Sequence, residues 1–268
     1  MKTETSFQTP NASLCAVIGL ATGVIFYILL YAGCYATLHW PVLRLLGMPG
    51  DITPTVASGD FSFTMYVALY AFFFWGVTTI FYKRQLLRQE RAALIILDKK
   101  FPSSRIIGKR TEIDALKATI SHGPDGARLR NTALVRTLLF LMDHCLVTET
   151  STRVVEIFTR RLDMLQKHVE SSYNILQYIA WGIPSVGFIG TVWGIGAAIA
   201  NAGMAMEDIR LVTQPLGVAF DTTLIALLES LILMFLLYHM QHQEENLINS
   251  IDLFCQEKFI INLRLEEK

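Results

Sequence analysis

Four stretches of this chain are apolar over twenty or more residues, and that feature constrains the fold more than any other. A helix needs about 20 such residues to cross the hydrocarbon core of a bilayer. The first stretch runs from about Leu14 to Leu38, and the second from Phe61 to Tyr82. The third runs from about Tyr173 to Ala202, and the fourth from about Thr213 to Tyr238. Charged residues are 17% of the chain, against about 25% in soluble domains. The formal net charge is +0, so bulk charge gives no sign of a nucleic-acid partner. The polar MKTETSFQTPNAS precedes an apolar run too long for a signal-peptide core and without an obvious cleavage site, so it reads as a retained anchor.

Lysine and arginine set the orientation. Residues 83–170 hold 17 of the 23 Lys+Arg, against 10 Asp+Glu. The loop at 39–60 has Arg44 alone, and the loop at 203–212 has Arg210 alone. The central block is therefore expected in the cytoplasm, together with both termini. KRQLLRQERAALIILDKK continues straight out of the second span. Helical spacing resumes after a break at Gly123-Pro124 and runs through TRVVEIFTRRLDMLQKHVESSYNILQ into the third span. The fourth span continues as HMQHQEENLINSIDLFC. The expected fold is all-α: a polytopic membrane protein with four transmembrane helices, two of them extending into the cytoplasm. Four regions follow: 1–82 with two peripheral spans, 83–170 cytoplasmic, 171–240 the inner helix pair, and 241–268 a C-terminal cytoplasmic helix.

The third span contains GFIGTVWGI. Glycine is about 1 kcal/mol worse than alanine in a helix, so its concentration here calls for a reason. Gly187, Gly190, Thr191, Gly194 and Ala198 fall on one side of a helix, with Trp193 nearly opposite Thr191. Small residues let another helix come close. Pro184, one turn earlier, removes a backbone hydrogen bond and leaves the carbonyl near Ala180 in need of a partner. In the fourth span Ala219, Thr222, Thr223, Ala226, Glu229 and Ser230 share a broad side. Counted from a hairpin centre near residue 207, Thr191 and Thr222/Thr223 reach similar depth. Matched hydroxyls on two small-residue faces suit a path for H+ or a small cation, because threonine both accepts and donates. An acid at membrane depth is a functional candidate by default. Glu229 shares the threonine side, whereas Asp221 points about 100° away from Thr222 and suits capping or pairing with a neighbouring helix.

GFIGTVWGI after a proline, followed by a short loop and a span with GVAFDTTLIAL, resembles the MotA/TolQ/ExbB proton-channel family. The resemblance covers about residues 150–260. It implies a ring of five copies around two copies of a single-span MotB/ExbD/TolR-like partner whose membrane aspartate carries the ion. It further implies that ion flow turns the ring in the bacterial inner membrane. Thr191 and Thr223 then match the family's pore threonines, and Thr222 makes a double threonine like that of sodium-driven members. The family's threonine is followed by Ala-x-Gly, whereas this chain has Leu224, Ile225 and Ala226. Glu229 has no counterpart in the family pattern, and is either an extra ion-relay group or a sign that the path differs here. Pro184, Gly187, Gly190, Gly194, Ala198, Ala219 and Ala226 are then packing and partner-contact positions, with the glycines a smooth surface for a moving central helix. On that expectation leucine at Gly190 or Gly194 blocks the partner and leaves the chain folded.

Competing readings have less support. Asp221 and Glu229 stand about 12 Å apart along one helix, too far for a shared-proton pair. No GxxxxGK[ST] or GxSxG occurs. Cys15, Cys34, Cys145 and Cys255 lack metal spacing, and His239 with His242 lacks a third ligand. An enzyme, a cofactor and a metal are not expected. The alternative is a non-conducting scaffold or permease subunit that uses its small-residue faces for packing alone.

Overall fold

A computed structural model describes residues 12–37, 59–100, 113, 117, 132–147, 151–204, 206 and 208–261. The loop at 39–58 and the Gly123-Pro124 break lie outside the described residues. Every described element is helical. They are α1 (Ala12–Thr37), α2 (Gly59–Lys100), α3 (Ala133–Val147), α4 (Ser151–Ala200), a 3-10 turn at Ala202–Met204, and α5 (Arg210–Cys255) with a π-helical turn at Gln256–Ile260. Among the described residues, three helices are long and apolar enough to cross a membrane, within Thr64–Lys99, Thr152–Ala200 and Arg210–Ile260. A shorter apolar helix spans Ser13–Leu29. The chain is thus an all-α polytopic membrane protein. The 50 residues of α4 amount to about 75 Å, more than twice the ~30 Å hydrocarbon core. α5 has 46 residues and α2 has 42, so a third helix joins the two expected to outrun the bilayer.

The chain folds as two compact units, one within Tyr82–Tyr173 and His239–Lys268, the other within Pro10–Phe81 and Asn174–Tyr238. The first unit groups the central segment with the C-terminal one, which the sequence leaves as separate regions.

In the first unit, polar residues at apolar spacing hold the helices together. Lys83 is 5% exposed. Its Nζ donates to Ser172 Oγ at 2.8 Å and to both oxygens of Glu244 at 3.2 and 3.3 Å. The ammonium also lies 4.0 Å from the Tyr173 ring centroid. Removing one partner of such a buried pair costs about 3–5 kcal/mol, because the other charge is left unpaired. Glu90 accepts the Ala133 N–H on both carboxylate oxygens, each at 2.9 Å. It thereby fills a donor that the start of α3 leaves open and sets negative charge at the positive helix end. Leu134, Leu138, Leu141 and Met142 of α3 are fully buried. Burial pushes the Cys145 thiol up to about 12, which leaves it an inert core residue.

In the second unit, α1 meets α2 through Gly19 and Gly23. A methyl group on Gly23 would sit 2.7 Å from Ala71 Cα and from Tyr70 O, and one on Gly19 would strike the Trp75 backbone. The close approach draws Tyr27, Tyr66, Tyr70 and Ile225 into one buried cluster. Tyr27 stacks on Tyr66 with centroids 6.5 Å apart, and Phe26 tilts against Phe74 at 4.7 Å. α2 in turn receives the Leu233 side chain of α5 at Gly76.

Candidate functional site

α4 and α5 of the second unit carry the sequence-derived site residues, and two prolines shape their interface. Pro184 lies inside α4 and Pro215 inside α5. Each removes the N–H that would have bonded the carbonyl four residues earlier. Within hydrocarbon such a carbonyl must find another donor. Ala180 O finds Ser230 Oγ, which donates from α5 at 2.8 Å. Leu211 O finds Asn201 Nδ2, which donates from just past the end of α4 at 3.3 Å. The two defects are thus repaired reciprocally, each by the neighbouring segment. The repairs stand near the two ends of the paired stretch.

The threonines sit between these repairs. Thr191 Oγ1 meets Thr223 Oγ1 directly. Thr191 Oγ1 also lies 3.2 Å from Ala219 O of the opposite helix and 3.3 Å from Gly187 O of its own. Thr223 Oγ1 lies 3.0 Å from Gly187 O of the opposite helix and 3.3 Å from Ala219 O of its own. Both threonines are half-buried. Thr222 is 1% exposed, and its Oγ1 donates to Ala219 O at 3.0 Å. Three hydroxyls therefore approach one carbonyl that offers two lone pairs. Thr191 and Thr223 bring one proton each to Gly187 O, Ala219 O and each other's oxygen. More acceptor sites converge here than there are hydroxyl protons to fill them. Such a cluster suits a proton, a small cation or a water at the cost of turning a hydroxyl. Sequence reading identified the three hydroxyls. It did not identify the two carbonyls, which helices present only where no larger side chain covers them.

The glycines are where the structure corrects the sequence reading. A Cβ on Gly190 would stand 2.6 Å from Thr222 Oγ1, and one on Gly194 would stand 2.6 Å from Pro215 O and 2.7 Å from Ala219 Cβ. A Cβ on Gly187 would overlap Ala226. All three glycines, with Ala219 at 0% and Ala226 at 0% exposed, are closed off inside the subunit's own helix pair. Ala198 is buried as well, and Pro184 is half-buried. The glycine face is therefore not an open surface for a partner helix to move along, and Gly187, Gly190, Gly194, Ala219 and Ala226 are not partner contacts. The physical reason is that α5 already fills the space that the missing side chains leave. By contrast, Gly182 and Gly196 have nothing within 4 Å. The surface that α4 and α5 leave uncovered is apolar and aromatic, with Trp181, Phe188, Trp193, Phe220, Leu231 and Phe235 all exposed.

The two acids differ. Asp221 is half-buried and has interactions of its own. Glu229 is 6% exposed, and both its carboxylate oxygens are buried with no hydrogen-bond partner among the described residues. His239 Nε2 accepts from Gln243 Nε2 at 2.7 Å. Among the described residues no three His, Cys, Asp or Glu gather as metal ligands.

Residues 131–252 match the MotA/TolQ/ExbB proton channel family. The matched stretch contains α3, α4 and nearly all of α5, and with them every threonine, glycine and proline of the site. No curated protein and no solved structure gives a significant match to the chain.

Proposed function

With residues 131–252 a domain of the MotA/TolQ/ExbB proton channel family, we propose that this chain is the ion-channel subunit of an ion-motive-force-driven rotary motor in a bacterial inner membrane. Five copies surround a dimeric, single-span MotB/ExbD/TolR-like partner that brings a membrane aspartate. The Lys/Arg-rich block at 83–170 and both termini face the cytoplasm, as the positive-inside bias directs. The transported ion is H+ or Na+.

The observation that carries this reading is the Thr191–Thr223 cluster with its two helix carbonyls. Packing alone asks for small side chains, and valine would fill the same space. Hydroxyls turned onto the opposite helix's carbonyls supply something further, a set of oxygens that can exchange partners inside an apolar layer. An ion released by the partner's aspartate moves past Thr191 and Thr223. Each hydroxyl swings between carbonyl, ion and the other hydroxyl. Thr222 is locked onto Ala219 O and braces the cluster from behind.

The test begins with native mass spectrometry of the complex in mild detergent. Five copies of this chain with two of a single-span partner are expected. Ion flux through the reconstituted complex is then compared with that of Thr191→Val and Thr223→Val, which keep the shape and drop the hydroxyl. Loss of flux with assembly intact is the expected result. A valine variant that conducts normally, or an assembly without a partner, returns the threonines to packing and favours the scaffold reading.

A further inference from the structure

Glu229 is a charge-bearing group for which the helix pair provides no compensation. Its oxygens are buried and have no hydrogen-bond partner among the described residues. A carboxylate in that state is costly, and it either pairs with a cation or takes up a proton. Among the described residues of its unit, the one Lys or Arg is Arg210. Arg210 precedes Glu229 by nineteen residues on the same helix, about 28 Å along its axis. The titratable side chains clustered at Ile225 are the phenols of Tyr27, Tyr66 and Tyr70, and Asp221 lies two turns earlier on α5. None of them is a cation.

The place of the carboxyl matters as much as its isolation. Thr222, Ala226 and Glu229 succeed one another along one side of α5. Gly187 of α4 lies against Ala226, and the Gly187 carbonyl belongs to the threonine cluster. Between the carboxyl and that cluster the facing positions are a methyl group and a glycine hydrogen. Ser230 beside it is already committed to Ala180 O.

We propose that Glu229 is a proton-binding site belonging to this chain itself, holding H+ inside each subunit and exchanging it with the Thr191–Thr223 cluster. The proposal rests on the reading of the chain as an ion-conducting subunit, and it makes H+ the transported ion. The exchange moves a proton and no electrons. The carboxyl O–H breaks, an O–H forms on a water or hydroxyl at the cluster, and the carboxylate left behind is reprotonated by the next incoming proton.

The experiment uses the intact complex in lipid and dicyclohexylcarbodiimide as probe. This apolar reagent adds to protonated carboxyls. The acid proton passes to a carbodiimide nitrogen, and the carboxyl oxygen bonds to the central carbon. Mass spectrometry of the wild-type complex is expected to find the adduct on Glu229. Glu229→Gln keeps shape and neutrality, and is expected to lower proton flux by about a hundredfold, the scale of a positioned proton-transfer group, with assembly unchanged. No adduct on Glu229 overturns the proposal, and that result is read on the wild type whether or not the variant assembles. Glu229→Gln conducting like wild type, while Thr191→Val does not conduct, overturns the proposal and leaves the channel reading standing. A wild-type complex that passes no ion overturns both.

Discussion

The second unit contains two helix pairs built on the same device and put to different ends. α1 approaches α2 at Gly19 and Gly23, and α4 approaches α5 at Gly187, Gly190 and Gly194. In both, absent side chains let backbones meet. The first interface is flanked by rings, with Phe26 on Phe74 and Tyr27 between Tyr66 and Tyr70. There the Thr22 hydroxyl donates to Gly19 O at 2.9 Å and so stays within α1. In the second interface the hydroxyls cross: Thr191 reaches Ala219 O, Thr223 reaches Gly187 O, and Ser230 reaches Ala180 O. Small residues by themselves make a tight joint. An exchangeable site arises where the carbonyls they uncover are met by hydroxyls from the opposite helix.

The largest expected effect comes from overfilling the second pair. Gly194→Leu drives a side chain into Pro215 O and Ala219, both held by backbone. Overpacking costs about 1–3 kcal/mol where side chains can give way, and more where backbone must move. The variant is expected to lose the α4–α5 pair and with it assembly, seen as loss of the complex on size exclusion. Gly196→Leu, which points into open space, is expected to assemble normally. Next comes Gly23→Leu, whose Cβ would lie 2.7 Å from Ala71 Cα. It is expected to release α1 from α2, read as new protease sensitivity near residue 23, while ion flux persists. Flux lost along with α1 would erase the distinction between a structural pair and a conducting one.

Thr191→Val sharpens the comparison without breaking the joint. Interhelical hydrogen bonds in membranes average about 0.6 kcal/mol, so thermal stability should hardly change. Flux is expected to fall by tenfold or more, on the scale of about 1.4 kcal/mol of barrier per decade. Thr22→Val, in the first pair, is expected to alter neither flux nor assembly. Equal effects of the two variants would mean that the crossing hydroxyls are only packing.

Much of this was legible in the residues. The long apolar runs, the helices that outrun them, the common depth of Thr191 and Thr223, and the carbonyl orphaned by Pro184 all follow from spacing and backbone chemistry. What spacing withholds is the neighbour. A helical projection says that Gly187, Gly190 and Gly194 point one way, but not that the chain's own α5 stands there rather than a partner. The same limit hid Ser230 as the donor to Ala180 O, since the two are 50 residues apart. It also hid Glu90 as the cap of α3, 43 residues before Ala133. The Gly19/Gly23 spacing is equally visible, but it does not say that α2 stands against it. Nor does spacing show that Lys83 and Glu244 are buried and paired, 161 residues apart.

The smallest expected effect concerns the proline repairs, and it has the clearest sign. Ser230→Ala removes the donor to Ala180 O and leaves a buried carbonyl unsatisfied, a loss of about 1–3 kcal/mol. Pro184→Ala restores the missing N–H of α4, so Ala180 O no longer needs Ser230. The two changes should therefore not add. Ser230→Ala in the Pro184→Ala background is expected to cost only a fraction of what it costs alone, with a coupling near 1 kcal/mol in the double-mutant cycle. Thermal unfolding of the four complexes measures it. Asn201→Ala and Pro215→Ala form the matching cycle at the other end of the interface. Its coupling should be weaker, because the bond is longer at 3.3 Å. Additive losses in both cycles would mean that water, not the opposite helix, satisfies the two carbonyls. The cluster between them would then lie in a wetter interface than the apolar joint described here.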